Sequence, residues 1–323
     1  MRFSPAIMAA TLCLAPFTPA AGLTLDFDRA FIGAPATDGG GNTVLTGRDT
    51  VSGEIVADDN GDRGLFVDAF GVEFSVNLGN NALGAVLFES NCGDNGQPGG
   101  LAACQGGDPD LATGPNLGST PRNRLLIFQE QQGNAGNSNN TIVALTPPAG
   151  TPTFGPGAPA AANNPQGYAR PDDAAGGNNA NSVTYNFLAS RYQLGVDLEE
   201  LVLIDFEEPD AQDAGNLAEV ILEFSYADGR QNASIDLADP SVVFTATNAT
   251  GDNSEKIFDL QALGALTLAV RSFSITLDGV SGGIEQLAFQ PTAVPLPPSA
   301  LLLAGAAGAL FLRRRRPAAA PTD

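Results

Sequence analysis

Val220-Ile221-Leu222-Glu223-Phe224-Ser225-Tyr226-Ala227-Asp228-Gly229-Arg230 is the stretch that decides the fold. Its large apolar side chains, Val220, Leu222, Phe224 and Tyr226, fall on every second position, with Ile221, Glu223 and Ser225 between them. Successive side chains of a strand point to opposite faces, so this spacing describes a strand with one face buried and one solvated, the habit of antiparallel sheets. The Asp228-Gly229 pair suits a turn that needs positive φ, and Ala233 to Leu237 supplies the returning strand of a hairpin.

The same period of two recurs along the chain. It sets Val72, Phe74, Val76 and Leu78 against Glu73, Ser75 and Asn77, and Val183, Tyr185 and Phe187 against Thr184 and Asn186. Phe273, Ile275 and Leu277 repeat it, and Leu23-Thr24-Leu25-Asp26-Phe27-Asp28 opens another alternating strand. Leu125-Leu126-Ile127-Phe128 and Leu201-Val202-Leu203-Ile204 are continuous apolar runs instead, which predicts central strands covered on both faces. No stretch sustains a period of 3.6 with caps. The prediction is an all-β body over residues 21–293, an antiparallel two-sheet β-sandwich resembling a jelly roll. Residues 91–121 are rich in Gly and Asp, and 131–181 in Gly, Asn, Pro and Ala. Alanine cannot build a core, so 131–181 reads as a long low-complexity loop, largely disordered, within the single domain.

Charge narrows the function. The 323 residues hold 15 basic against 36 acidic side chains, a net charge of −21, with no His and no Trp. Arg2 and Arg313 to Arg316 lie in the terminal segments, so the middle is more acidic still. Such a body repels phosphate backbones, which excludes nucleic acid as a partner. Without His there is no imidazole base, no triad built on one and no His-ligated zinc.

Both ends read as addresses. Met1-Arg2, the apolar run Ile7 to Leu14 and the small residues Thr18-Pro19-Ala20-Ala21-Gly22 compose a secretory signal peptide over residues 1–20, cleaved near Ala20 or Ala21; Cys13 leaves with it. At the other end, 294–323, Val294-Pro295-Leu296-Pro297 precedes an apolar helix expected over 298–312, followed by Arg313, Arg314, Arg315 and Arg316. That helix is roughly 22 Å long against a hydrocarbon core of ~30 Å, so it spans only with snorkelling arginines and a thinned bilayer. The arginines hold their end in the cytoplasm and leave the acidic body outside.

The order of proline motif, short apolar helix and arginine cluster resembles the PEP-CTERM sorting signal in its VPLPA variant, with Pro298 where that motif has alanine. The resemblance implies a precursor anchored in the inner membrane of a Gram-negative bacterium that makes extracellular polysaccharide. It also implies recognition by an exosortase, a membrane protease-transpeptidase. The body resembles a group of exported alphaproteobacterial proteins carrying such signals, through Val86-Leu87-Phe88, Gly107-Asp108-Pro109-Asp110-Leu111, Leu125 to Phe128, Pro171-Asp172-Asp173 and Ser281-Gly282-Gly283-Ile284. No activity comes with that second likeness.

Three sets of residues stand out as candidate sites. Cys92 and Cys104 remain once Cys13 is removed, and export makes a disulfide the default, contributing at most roughly 3 kcal/mol. Asp108, Asp110, Asp172 and Asp173 are candidate Ca²⁺ ligands on loops, with Asp58-Asp59-Asn60-Gly61-Asp62 as a further acidic turn; the alternative is that these loops are merely solvated. Asp205, Glu207 and Glu208 could serve a carboxylate-based glycan-active enzyme, with Asp205 and Glu207 on one strand face by period two. The reading adopted is a non-enzymatic exported protein of the cell surface or extracellular matrix, with extracellular polysaccharide as a partner beyond the exosortase and the membrane. A calcium-dependent carbohydrate-binding module is its alternative.

Overall fold

Alternation in sequence becomes alternation in burial: from Asn181 to Phe187 every odd position is buried and every even one half-buried. The structure is a computed structural model. It describes residues 22–31, 36–37, 43–44, 47–49, 53–79, 82–90, 111–114, 119–120, 122, 124–130, 142–144, 166–168, 180–205, 219–237, 239, 241–247, 254–278 and 282–293.

The main sheet has 14 strands. In chain order these are β1 (Leu23–Asp26), β2 (Ile55–Asp58), β3 (Gly61–Asp62), β4 (Val72–Asn77), β5 (Ala82–Glu89), β6 (Arg124–Glu130) and β7 (Asn181–Phe187). They continue with β8 (Val196–Ile204), β9 (Glu219–Tyr226), β10 (Ala233–Asp236), β11 (Phe244–Thr247), β12 (Glu255–Asp259), β13 (Val270–Asp278) and β14 (Gly283–Pro291). Pairing is antiparallel throughout, in two runs. The first is β4-β7-β13-β9-β10. The second is β11-β12-β8-β14, then β1 and β6 both against β14, then β5-β2-β3.

Among the described residues a single ladder pair, Val196 opposite Val270, joins the runs. Gly195, immediately before it, has φ 84°, and a Cβ there would lie 2.7 Å from the carbonyl carbon of Ala269 and 2.7 Å from the carbonyl oxygen of Val270. Only glycine lets the two backbones come that close.

Both runs supply one large apolar core. Val183, Tyr185, Phe187, Phe273 and Leu222 come from the first, and Leu25, Leu126, Leu201, Leu203, Leu287 and Phe289 from the second. The Phe187 and Phe289 rings meet across it at 5.1 Å. A second, smaller core gathers Val86, Phe88, Leu111, Leu125, Ile127, Val202 and Ile204. Leu125 and Ile127 thus face one core while Leu126 and Phe128 face the other, and Val202 and Ile204 divide likewise from Leu201 and Leu203. The continuous apolar runs are central strands covered on both faces, as their composition requires, and each buried Leu, Ile or Phe contributes roughly 1.5–3 kcal/mol.

The hairpin also forms, with Phe224 opposite Ala233 and Leu222 opposite Ile235. Its connection is wider than a two-residue turn, since the ladder to β10 ends at Phe224, while on the other edge of β9 Tyr226 still pairs with Val270 of β13. The Arg230 guanidinium lies 3.6 Å from the centroid of the Tyr226 ring and donates to the Leu268 carbonyl, drawing the residues after Gly229 toward β13.

Helix is confined to one α-turn, Val67–Phe70, and a 3₁₀ stretch, Leu260–Thr267, among the described residues. None of the described helices is long and apolar enough to cross a membrane. The signal peptide 1–20 and the anchor 298–312 lie outside the described residues. Within 131–181, Ile142–Ala144 pairs antiparallel with Gln166–Tyr168, so part of the stretch expected as a structureless loop carries a ladder. The β-branched pair Ile142-Val143 favours it.

Candidate functional site

Two buried carboxylates come together at the entry of β14, where they share one arginine. Gly283 begins that strand against Leu125, whose Cδ1 would lie 2.7 Å from an added Cβ. Opposite β8, Ile284 pairs with Leu203 and Gln286 with Val202, so Glu285 is an extra residue, a β-bulge. On the other side β1 ends with Asp26 opposite Gln286, and β6 has Leu126 opposite Ile284. Glu285 therefore sits where two neighbouring strands meet.

A second carboxylate arrives from β12, where Glu255 pairs with Ile204. It is 0 % exposed, and Glu285 is 6 % exposed. Arg122, ahead of β6, bridges them. Its Nε donates to Glu255 Oε1 at 3.0 Å, its Nη2 donates to the same oxygen, and its Nη1 donates to Glu285 Oε1 at 3.3 Å. The Thr120 N–H donates to Glu255 Oε2 at 3.3 Å. Glu285 Oε2 is buried and has no hydrogen-bond partner among the described residues.

One guanidinium thus serves two buried carboxylates. Burial pushes the Glu285 carboxyl up to about 7; Arg122 opposes the rise, while Asp26, Asp28 and Glu255 add to it. Burial works against the charge on Arg122, but Glu285 and Glu255 outweigh it and hold its pKa above the ordinary value. Nearby, Gln286 Nε2 donates to Glu200 Oε1 at 2.8 Å.

The arginine is itself held from behind. Its backbone N–H donates to Thr113 Oγ1 at 2.8 Å, the Thr113 N–H donates to the Ser90 carbonyl at 2.8 Å, and Ser90 Oγ donates to the Leu111 carbonyl at 2.7 Å. Leu111 is packed in the smaller core. The ion cluster and the hydroxyl network together fasten residues 111–114, 119–120 and 122 to the ends of β5, β12 and β14. Two carboxylates under one arginine, both shielded from solvent, are arranged to bind a proton and to attach the segment that carries the arginine.

Of the residues singled out by sequence, Cys92, Cys104, Asp108, Asp110, Asp172, Asp173, Glu207, Glu208, Val294, Pro295, Leu296, Pro297, Arg313, Arg314, Arg315 and Arg316 lie outside the described residues. Asp205 is described and is buried. β8 stops at Ile204, and Asp205 takes φ 59° with its N–H donating to the Ser254 carbonyl at 2.7 Å. The period-two count that sets Asp205 and Glu207 on one strand face therefore does not run through it.

The acidic turn at Asp58 to Asp62 is engaged internally. Asp58 accepts from Arg63 and, at 2.8 Å, from the Asn60 N–H, while Asp62 accepts from the Gly64 N–H and, at 2.6 Å, from the Phe74 N–H. Burial raises the Asp62 carboxyl against those two backbone donors. Among the described residues no three acidic or sulfur side chains converge to hold a metal ion.

Arg122, Glu255 and Glu285 escaped the sequence reading. One signal was legible: Leu287 and Phe289 keep period two, but Ile284 stands three residues before Leu287, the interval a bulge leaves. Compared with known proteins, the chain matches no family model, no curated protein and no solved structure.

Proposed function

We propose that this chain is a non-enzymatic exported protein, displayed at the cell surface or in the extracellular matrix after sorting through its C-terminal signal. In this reading the two strand runs fold over one another as a two-layer sandwich of jelly-roll type. The large core shared by both runs and the Phe187–Phe289 ring contact support that layering.

The observation that carries the functional reading is the order Val294-Pro295-Leu296-Pro297, apolar 301–312 and Arg313 to Arg316, beginning three residues after β14 ends at Pro291. A sorting enzyme of exosortase type would cut near that motif. The inner membrane would hold the precursor by the 298–312 helix until then. The enclosed ion cluster supports a scaffold role as well, since its carboxylates attach one part of the fold to another.

Mass spectrometry of membrane, surface and culture fractions tests this. The expected mature chain starts near Ala21 or Gly22 and ends close to Pro297. Recovery of an intact chain from Met1 to Asp323 in the cytosol would contradict it.

A further inference from the structure

We propose that Arg122, Glu255 and Glu285 form a proton-operated clamp, which holds Thr113, Thr120 and Arg122 firmly onto the strand ends when Glu285 carries a proton and loosens them when it does not. The geometry is that of a buried carboxyl whose donors are incomplete. Arg122 answers Glu255 through Nε and Nη2 and reaches Glu285 only through Nη1, while Glu285 Oε2 stays buried without a partner among the described residues.

Acidic side chains from three neighbouring elements act on the cluster, and Lys256 follows Glu255 on β12. Asp26 and Asp28 come from β1 and the residues after it, Glu255 from β12 and Glu200 from β8. The neighbouring Arg124 of β6 is paired with Glu89 of β5 at 3.1 Å. With Glu285 protonated, the Arg122 guanidinium has one buried carboxylate, Glu255, to answer. With Glu285 ionised, a second buried carboxylate shares that guanidinium with one oxygen left without a donor among the described residues, and any opening that lets water reach Glu285 relieves the cost.

The direction follows from linkage. The carboxyl in place titrates near 7, and in a solvated state near its ordinary value of 4.5. The closed state therefore binds the extra proton, so opening becomes easier as pH rises between those two values and changes no further above the upper one. Within that window the opening equilibrium grows up to tenfold per pH unit. The clamp is tight in mildly acidic surroundings and looser at neutrality.

Amide hydrogen exchange of the full-length protein at Thr113, Thr120 and Arg122, corrected for intrinsic rates and followed from pH 5 to 8, reads the effect directly. Protection should fall by roughly 40-fold between pH 5 and 7 and then level off. The Glu285→Gln variant, which keeps the acceptor for Arg122 and cannot titrate, should show a flat profile. The Asp26→Asn/Asp28→Asn variant, which leaves Glu285 in place, should bring the levelling to lower pH. A flat wild-type profile, or a slope retained in Glu285→Gln, overturns the proposal. Should Glu285→Gln not fold, an unmoved levelling point in Asp26→Asn/Asp28→Asn overturns it equally.

Discussion

Truncating Arg122 to alanine removes the cation from a cluster in which Glu255 is 0 % exposed. Glu255 would lose the Nε and Nη2 donors and keep the Thr120 N–H, and Glu285 would lose its contact with Nη1. Breaking a buried pair by deleting one partner costs about 3–5 kcal/mol, because the remaining charge is left uncompensated. A domain of ordinary stability has only ~5–15 kcal/mol in total, so the variant should be folded but fragile. Urea unfolding with linear extrapolation measures the difference, at pH 7.5 and again at pH 5.5. The sign of the pH effect is set by Glu285, whose carboxyl titrates near 7 in the folded protein. At pH 5.5 it is neutral and needs no cation, so the loss from Arg122→Ala should be smaller there than at pH 7.5. Adding Glu255→Gln should restore part of the stability by removing a buried charge that has lost its guanidinium. A loss under about 1 kcal/mol, equal at both pH values and unaffected by Glu255→Gln, would refute the reasoning, for that is how a solvent-screened surface pair behaves.

Two further outcomes follow from the fold. Gly195→Ala should destabilise the protein by at least about 2 kcal/mol, since it adds a left-handed strain of ~1–2 kcal/mol to a Cβ 2.7 Å from the Ala269 and Val270 backbone; an unchanged Tm would show that β8 and β13 do not approach as described. Tyr185→Phe should be neutral or stabilising by up to about 1 kcal/mol, because the buried Tyr185 hydroxyl has no partner among the described residues; a clear loss in the same urea assay would reveal one.

What the amino-acid sequence determined by itself is the local geometry of the strands. Val220 to Tyr226, Val183 to Phe187 and Phe273 to Leu277 became one-sided strands because period two is a property of a single extended segment and needs no partner to be read. Leu125 to Phe128 and Leu201 to Ile204 announced two covered faces because four consecutive apolar residues leave no solvated side. The tertiary structure alone decided the ion cluster. Arg122, Glu255 and Glu285 are separated by more than a hundred residues from the first to the last two, and each reads as an ordinary surface charge in its own segment. They meet because β12 lies against β8, β8 against β14, and a bulge at Glu285 turns that residue toward the same guanidinium. Burial, and with it the raised pKa of Glu285, is a property of the assembled sheet, since desolvation depends on what every neighbouring strand places around the carboxyl.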